Sequence, residues 1–417
     1  MVINMETVIR RVVVTGIGAV SPIGSTAAES WDAMLAGRCG IGPITQFDTT
    51  DHRAKLAAEA SGFNPRDYMD KAETLRTDRF TQFAVASATQ AVEDSGIIGT
   101  VPAERLAVYY GSGIGGIKTT TSEYEKLMKR GPSRVSPYTI PMMIANMASG
   151  IIAIRFGAKG AAMPQVTACA SGSSAIGEAL RAVRHGYADA VITGGSEAAI
   201  CAFGMAGFAN MQALSLATDP DAASLPFDRR RAGFVMGEGG AALILEEYEH
   251  AMARGAKIYG EVSGYGVTCD AYHMTALQPD GAGGAAAMKM AMEEAGYTDA
   301  DQVYVNAHGT GTQLNDSAET KAVKLALGEE KAYRSWISST KSMTGHMLGA
   351  AGAMEAIVCL LALQTGTLPP TIHLLEPDPD CDLNYVPNRA VQVPVTLCLS
   401  NSFGFGGHNV CLAFRKV

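Results

Sequence analysis

Cys169 stands in TACASGSS, where an extended apolar segment gives way to a turn and then to a helix rich in small residues. A thiol at a helix N-terminus feels the positive end of the backbone dipole, which predicts a lowered pKa and a thiolate nucleophile. Ala168, Ala170 and Gly172 leave room beside it for a substrate carbonyl. The plain alternative is a buried cysteine like the other seven, and only its place at a strand-to-helix turn sets this one apart. His308 follows QVYVNA and opens HGTGTQLND. That puts it at the C-terminal edge of a strand, where α/β proteins bind ligands. A histidine that merely caps the next helix fits equally well. Thr310 and Thr312 alternate on one side of the same loop and suit a polar substrate arm.

The stretch SSTKSMTGHMLGAAGAMEA (338–356) gathers Lys341, His346 and Glu355 ahead of the wholly apolar IVCLLAL. His346, at the start of a helix, is expected neutral, able to hydrogen-bond developing negative charge. Lys341 supplies fixed positive charge. Glu355 lies nine residues past His346, on the opposite helical face at roughly 100° per residue. A carboxylate there needs a partner: a cation, a lysine or backbone donors. Near the end, NSFGFGGHNV (401–410) is a glycine-rich loop holding Phe403 and Phe405. Its backbone N–H groups can aim at an oxyanion, or the loop simply turns the chain between VTLCLS and VCLAF.

These residues need a scaffold. Strand-like runs at 11–18, 106–113, 188–195, 241–247, 257–266, 302–309 and 335–340 alternate with helical patterns at 80–96, 172–186, 283–296 and 317–328. Such alternation predicts an α/β architecture with mainly parallel sheet. The strands are apolar with little polar alternation, so both faces of each sheet are expected to be covered. QVTACASGSSAIGEALRAV and WISSTKSMTGHMLGAAGAMEAIVCLLAL share a plan of extended segment, tight turn and small-residue helix. This suggests a duplication, with its seam after EEYEHAMARG, giving halves 1–256 and 257–417.

The bulk properties narrow the class. Of 417 residues, 47% are hydrophobic and 18% charged, which excludes disorder and suits a soluble enzyme. A net charge of −8 offers no basic field for nucleic acid. The eight cysteines show no C-x-x-C spacing and no zinc motif with the histidines, so reduced thiols and a cytoplasmic setting are expected. VVVTGIGAV after Arg10 and Arg11 imitates a signal peptide, yet Gly16 and Gly18 break the run as a strand ending in a turn would. The Met347–Leu363 run approaches membrane length but contains Glu355, and reads as a buried helix. GSGIGG (111–116) matches a dinucleotide fingerprint without the acidic residue about 20 positions on that would bind ribose.

TACASG, NAHGTGT, STKSMTGHMLGAAGA and NSFGFGG occur in that order after an opening RRVVVTGIGAVSPIG. Over nearly its whole length the chain thereby resembles the β-ketoacyl-acyl-carrier-protein synthases, the type II condensing enzymes of fatty-acid synthesis in particular. The resemblance implies a thiolase-like fold, with duplicated halves in a five-layered α-β-α-β-α sandwich, working as a homodimer. It makes Cys169 the acylated nucleophile, His308 and His346 the catalytic pair, Lys341 the family's lysine and Glu355 the buried acid beside it. The Phe405 N–H would join that of Cys169 as oxyanion hole while its ring gates the site, with Phe403 nearby. Thr310 and Thr312 would hold the phosphopantetheine arm, and Ile114 would tune acyl length. The implied reaction is a decarboxylative Claisen condensation between an acyl group and malonyl-carrier protein, needing no metal or organic cofactor, with acyl carrier protein as partner and no membrane or nucleic acid. His408 and Thr139 depart from the pattern. Lys71, Arg76 and Arg79 form a thin basic patch for carrier docking, which Arg229, Arg230 and Arg231 would supplement. A thiolase would need a second cysteine in the last loop, and a non-catalytic chain-length subunit would lack Cys169. A polyketide ketosynthase shares every motif. Nicotinamide binding would instead favour a dehydrogenase.

Overall fold

A computed structural model describes residues 9–417. The first half runs β1 (Val12–Val20), α1 (Arg79–Ser95), β2 (Leu106–Gly111), α2 (Met147–Phe156), β3 (Ala162–Gln165), α3 (Ser171–Arg184), β4 (Ala190–Glu197) and β5 (Gly239–Glu247). The second runs β6 (Gly260–Cys269), α4 (Ala282–Glu294), β7 (Val303–Asn306), α5 (Gln313–Leu327), β8 (Trp336–Ser338), α6 (Ala351–Thr365), β9 (Leu397–Gly404) and β10 (His408–Arg415). Shorter or peripheral helices interrupt this plan, the longest being Ile117–Arg130.

The strand order is β3-β2-β4-β5-β1 in one half and β8-β7-β9-β10-β6 in the other, which is the same topology twice. The sheets meet where Val13 and Val14 pair with Glu261 and Gly260, so ten strands form one hydrogen-bonded array. Antiparallel neighbours outnumber parallel ones, contrary to the sequence expectation. Parallel pairing is confined to strands linked by helical crossovers, β2 with β3 and β4, and β7 with β8 and β9. β10 instead returns directly from β9 through residues 405–407.

The glycines of β1 do not end the strand; it runs buried through both. A Cβ on Gly16 would lie 2.2 Å from the Ala91 carbonyl oxygen, and one on Gly18 2.2 Å from that of Ser87. Their absence of side chain lets α1 lie directly on the strand. The second half repeats the device: a Cβ on Gly264 would lie 2.0 Å from the Ala291 oxygen and one on Gly266 1.8 Å from that of Ala287, both in α4.

α1 and α2 cover the outer face of the first sheet, α4 covers that of the second with α5 packed on it, and α3 and α6 lie between the sheets. Ile176, Leu180 and Val183 of α3 share one apolar core with Ile357, Leu360 and Leu363 of α6, Leu243 of β5 and Leu412 of β10. Each such fully buried side chain contributes about 1.5–3 kcal/mol. The Leu348–Thr365 run, apolar enough to cross a membrane, is mostly buried as this middle-layer helix. The two middle helices meet at small residues, since a Cβ on Gly172 would lie 2.7 Å from the Gly349 oxygen.

Candidate active site

A 3-10 turn, Ala168–Ala170, leads into α3, and Ala168 takes a left-handed φ of 50°. For a residue with a Cβ this conformation is strained, and surrounding structure must hold it. The end of β9 does so from one side: a Cβ on Gly404 would lie 2.5 Å from the Thr167 oxygen. Cys169, the middle residue of the turn, is buried. Burial pushes its thiol up to about 12, against the pull of the Lys341 charge and the N–H groups of Cys169 and Phe405. The thiolate expected from the helix terminus is therefore not the resting state, because enclosure removes more solvation than the terminus returns.

A cavity of about 550 Å³ opens at this sulfur. His308, Thr310, Thr312, His346, Phe403 and Phe405 all line it. His308 follows β7, and its backbone N–H donates to Glu319 Oε1 at 2.8 Å while that of Gly309 donates to Oε2 at 2.7 Å. Burial holds the Glu319 carboxyl up at about 7. The Thr310 and Thr312 hydroxyls are 3.0 Å apart. The backbone N–H of His346 donates to the Val235 oxygen at 2.7 Å. The two imidazoles stand edge to face, 5.2 Å between centres, with Phe234 5.1 Å from His346 and Phe403 5.6 Å from His308. Both ring nitrogens of His346 and Nδ1 of His308 are buried without a hydrogen-bond partner. Burial, then the Lys341 charge, holds both histidines well below their ordinary value, so both are neutral.

Lys341 opens a short helix, Lys341–Thr344, and its ammonium donates to Glu355 Oε1. Both side chains are buried, at 1% and 2% exposure. Burial raises the Glu355 carboxyl while Lys341 opposes it. Glu355 Oε2 has no partner. Neither Glu355 nor Lys341 lines the cavity; the lysine acts on both histidines through its charge.

Ile114 does not line this cavity. Its loop turns inward toward Glu197, and its N–H donates to Oε1 of that carboxylate at 3.2 Å. Thr139 opens the short helix Thr139–Met143, and His408 begins β10 opposite Gly404. Two of the basic residues put forward for docking are committed internally. Arg79 holds the buried Glu238 at 2.8 Å, and Arg231 is 3% exposed between Asp316 and Asp378. Lys71, Arg76 and Arg229 remain exposed, while Arg230 binds Asp228. Glu197 and Glu319 went unnoticed in the sequence. The signal for Glu319 was its place on the helix after HGTGT, within reach of the loop's N–H groups; Glu197 carried none.

The model of the beta-ketoacyl synthase N-terminal domain matches residues 9–251, and that of the C-terminal domain matches residues 259–375. The chain is 52% identical over 415 residues to a 3-oxoacyl-[acyl-carrier-protein] synthase 2 of Synechocystis sp., covering 99% of each. It is 49% identical over 408 residues to the protein of that name in Staphylococcus aureus strain COL, covering 98% of each. Among solved structures, a type II polyketide ketosynthase, solved with its acyl-carrier protein and bound to a hexaketide, superposes with a TM-score of 0.89 at 33% identity. That match covers 98% of this chain and 100% of the other. With the doubled thiolase-type topology and these matches across both halves, the chain belongs to the beta-ketoacyl synthase family.

Proposed function

We propose that this enzyme elongates acyl chains in fatty-acid synthesis. It condenses an acyl group, held as a thioester on Cys169, with malonyl-carrier protein to give 3-oxoacyl-carrier protein, carbon dioxide and free carrier. The observation that carries the reading is the pair of neutral imidazoles, His308 and His346, lining the cavity that Cys169 also lines. Neutral imidazoles can donate hydrogen bonds to an oxygen on which negative charge develops.

In the first half-reaction Cys169 enters as a thiol. Its sulfur attacks the acyl thioester, and its proton leaves with the carrier thiol, so charge balances without a resident base. The N–H groups of Cys169 and Phe405, which bear on the sulfur, receive the acyl oxygen. In the second, malonyl-carrier protein loses carbon dioxide. Neutral His308 and His346 donate hydrogen bonds to the enolate oxygen, and the carbon attacks the acyl thioester. The Cys169 sulfur departs as thiolate and takes up a proton from solvent, the one proton the condensation consumes. Lys341 keeps the imidazoles neutral, Glu355 anchors Lys341, and Thr310 and Thr312 hold the carrier's arm. Ile114 would act on acyl length through its loop rather than through the cavity wall.

We assign the acyl-carrier protein as partner, in line with the polyketide ketosynthase solved with its own. A homodimer is supported by β3, an exposed edge strand, with Met163, Ile154 and Val166 presenting apolar surface around it. We take 256/257 as the seam between halves and the cytoplasm as the compartment. A polyketide role is the second reading, favoured by the hexaketide-bound relative but at 33% identity against 52% for the fatty-acid synthase. Intact-mass measurement after mixing with acyl-carrier protein should show an acyl adduct on Cys169. Adding malonyl-carrier protein should discharge it as 3-oxoacyl product. Condensation by Cys169→Ala would refute the reading.

A further inference from the structure

Glu197 closes β4 and is 0% exposed. Its carboxylate accepts four hydrogen bonds: from the Ser112 hydroxyl at 3.0 Å and from the N–H groups of Gly113 at 2.7 Å, Ile114 at 3.2 Å and Gly349 at 3.1 Å. No cation pairs with it among the described residues. Three of the donors come from the loop after β2; the fourth lies across the join, in the 3-10 turn Leu348–Ala350. That turn is the second half's counterpart of the turn carrying Cys169. Each is three residues long, precedes a middle-layer helix and begins with a left-handed residue, Ala168 at 50° and Leu348 at 47°. Gly349 therefore stands where Cys169 stands in the first half. Its N–H, the counterpart of the Cys169 N–H, is filled by an internal carboxylate, while that of Cys169 is left for a substrate.

Glu197 also reaches Cys169 through packing. A Cβ on Gly113 would lie 2.9 Å from Glu197 Oε2 and 3.0 Å from the Ala168 oxygen, so this backbone is wedged between the carboxylate and the strained residue before the nucleophile. We propose that Glu197 is a positioning residue that latches the 112–116 loop to the Leu348–Ala350 turn and thereby holds the backbone beneath Cys169 in its reactive shape. Burial keeps the Glu197 carboxyl up at about 7, and its charge opposes the Cys169 thiolate. The latch thus sets both the geometry and the ionisation of the sulfur.

The proposal rests on Cys169 as nucleophile, and its test reads the sulfur directly. Iodoacetamide alkylation of Cys169 is followed by intact mass against pH, beside steady-state condensation and a thermal melt. Lys341, His308 and His346 also face the sulfur and are unchanged by the substitution. Glu197→Gln should move the alkylation midpoint at least half a unit toward acid and lower kcat at least tenfold, with KM within twofold. Glu197→Asp, which keeps the charge on a shorter arm, should keep the midpoint while losing kcat. A folded Glu197→Gln with wild-type midpoint and kcat would overturn the proposal. If Glu197→Gln does not fold, Ser112→Ala decides: it removes one donor, should lower kcat about threefold, and an unchanged kcat overturns the latch. If the wild type takes up no acyl group from its carrier, the functional reading fails while the alkylation midpoint still reports on Glu197.

Discussion

Lys341→Met would separate what the buried ion pair does for the fold from what it does for chemistry. The substitution leaves Glu355 at 2% exposure with no cation, and its Oε2 already lacks a partner. Stranding one member of a buried pair costs about 3–5 kcal/mol, with protonation of the carboxyl limiting the loss. At about 2 cal/mol/K of unfolding entropy per residue, a chain of 417 residues responds by roughly 1 °C per kcal/mol, so Tm should fall about 3–5 °C. Lys341→Met combined with Glu355→Leu replaces both charges with apolar groups, which is often neutral or stabilising. That double variant should regain Tm to within about 1 °C. It should not regain activity, because the ammonium is the main cause, after burial, that holds His346 and His308 neutral and draws the Cys169 thiol down. Calorimetry gives the stability, and single-turnover decarboxylation of malonyl-carrier protein gives the chemistry. Imidazole carbon NMR should show both histidine midpoints moving up in either variant. A double variant that recovers both Tm and turnover would reduce Lys341 to a strut and refute the reasoning.

Three further outcomes follow from named contacts. Folded Glu319 keeps its proton up to about 7 against an ordinary 4.5, so the stability it gives is full below 4.5 and lost as pH rises through 7. The two histidines act oppositely, giving stability that is full above 6.5 and lost as pH falls toward their depressed values. Glu319→Gln should therefore steepen the fall in urea stability from pH 6.5 to 4.5, by up to about 1.4 kcal/mol per pH unit, and a slope equal to wild type would contradict the assignment. Gly266→Ala puts a Cβ 1.8 Å from the Ala287 oxygen and should abolish soluble expression, whereas Gly207→Ala, in open space within a helix, should gain about 0.5–1 kcal/mol in a urea melt. Charge reversal at Lys71 and Arg76 should raise the KM for carrier protein, while Arg231→Glu should lower Tm through Asp316 and Asp378; an unchanged KM in the first would remove that patch from docking.

The residues of the candidate site were legible because each sits at the end of a recognisable pattern. Cys169 and His308 each follow an extended segment and precede a helix, while His346 follows the short helix Lys341–Thr344 and precedes the turn into α6. What was not legible depends on contacts far apart in sequence. Strand direction followed from which connections carry helices, and apolar runs such as AALILEE and VCLAF read alike in either direction. Gly16 and Gly18 look like a turn in isolation; only the carbonyls of Ala91 and Ser87 pressing on them show why a strand would hold glycine. The ionisation of Cys169 went the other way from its expectation because helix position is local in sequence and enclosure is not. Glu197 was invisible for the same reason, since its fourth donor lies in the other half of the chain.

The duplication also accounts for why the proposed nucleophile stands on one turn and not on both. Both middle helices must begin with small residues to meet at all, and both are entered through a strained turn. In the second half that turn cannot carry a nucleophile: a Cβ on Gly349 would lie 2.5 Å from the Gly113 nitrogen and 2.8 Å from Glu197 Oε2. Relieved of that role, the second turn contributes from just upstream. His346, three residues before Gly349, is buried in the cavity wall, whereas Val166, three residues before Cys169, is 55% exposed. One copy of the motif thus keeps the sulfur and surrenders the imidazole position to the surface, and the other does the reverse. The candidate site is assembled where the two copies face each other across the α3–α6 layer, the junction at which Gly172 packs against Gly349.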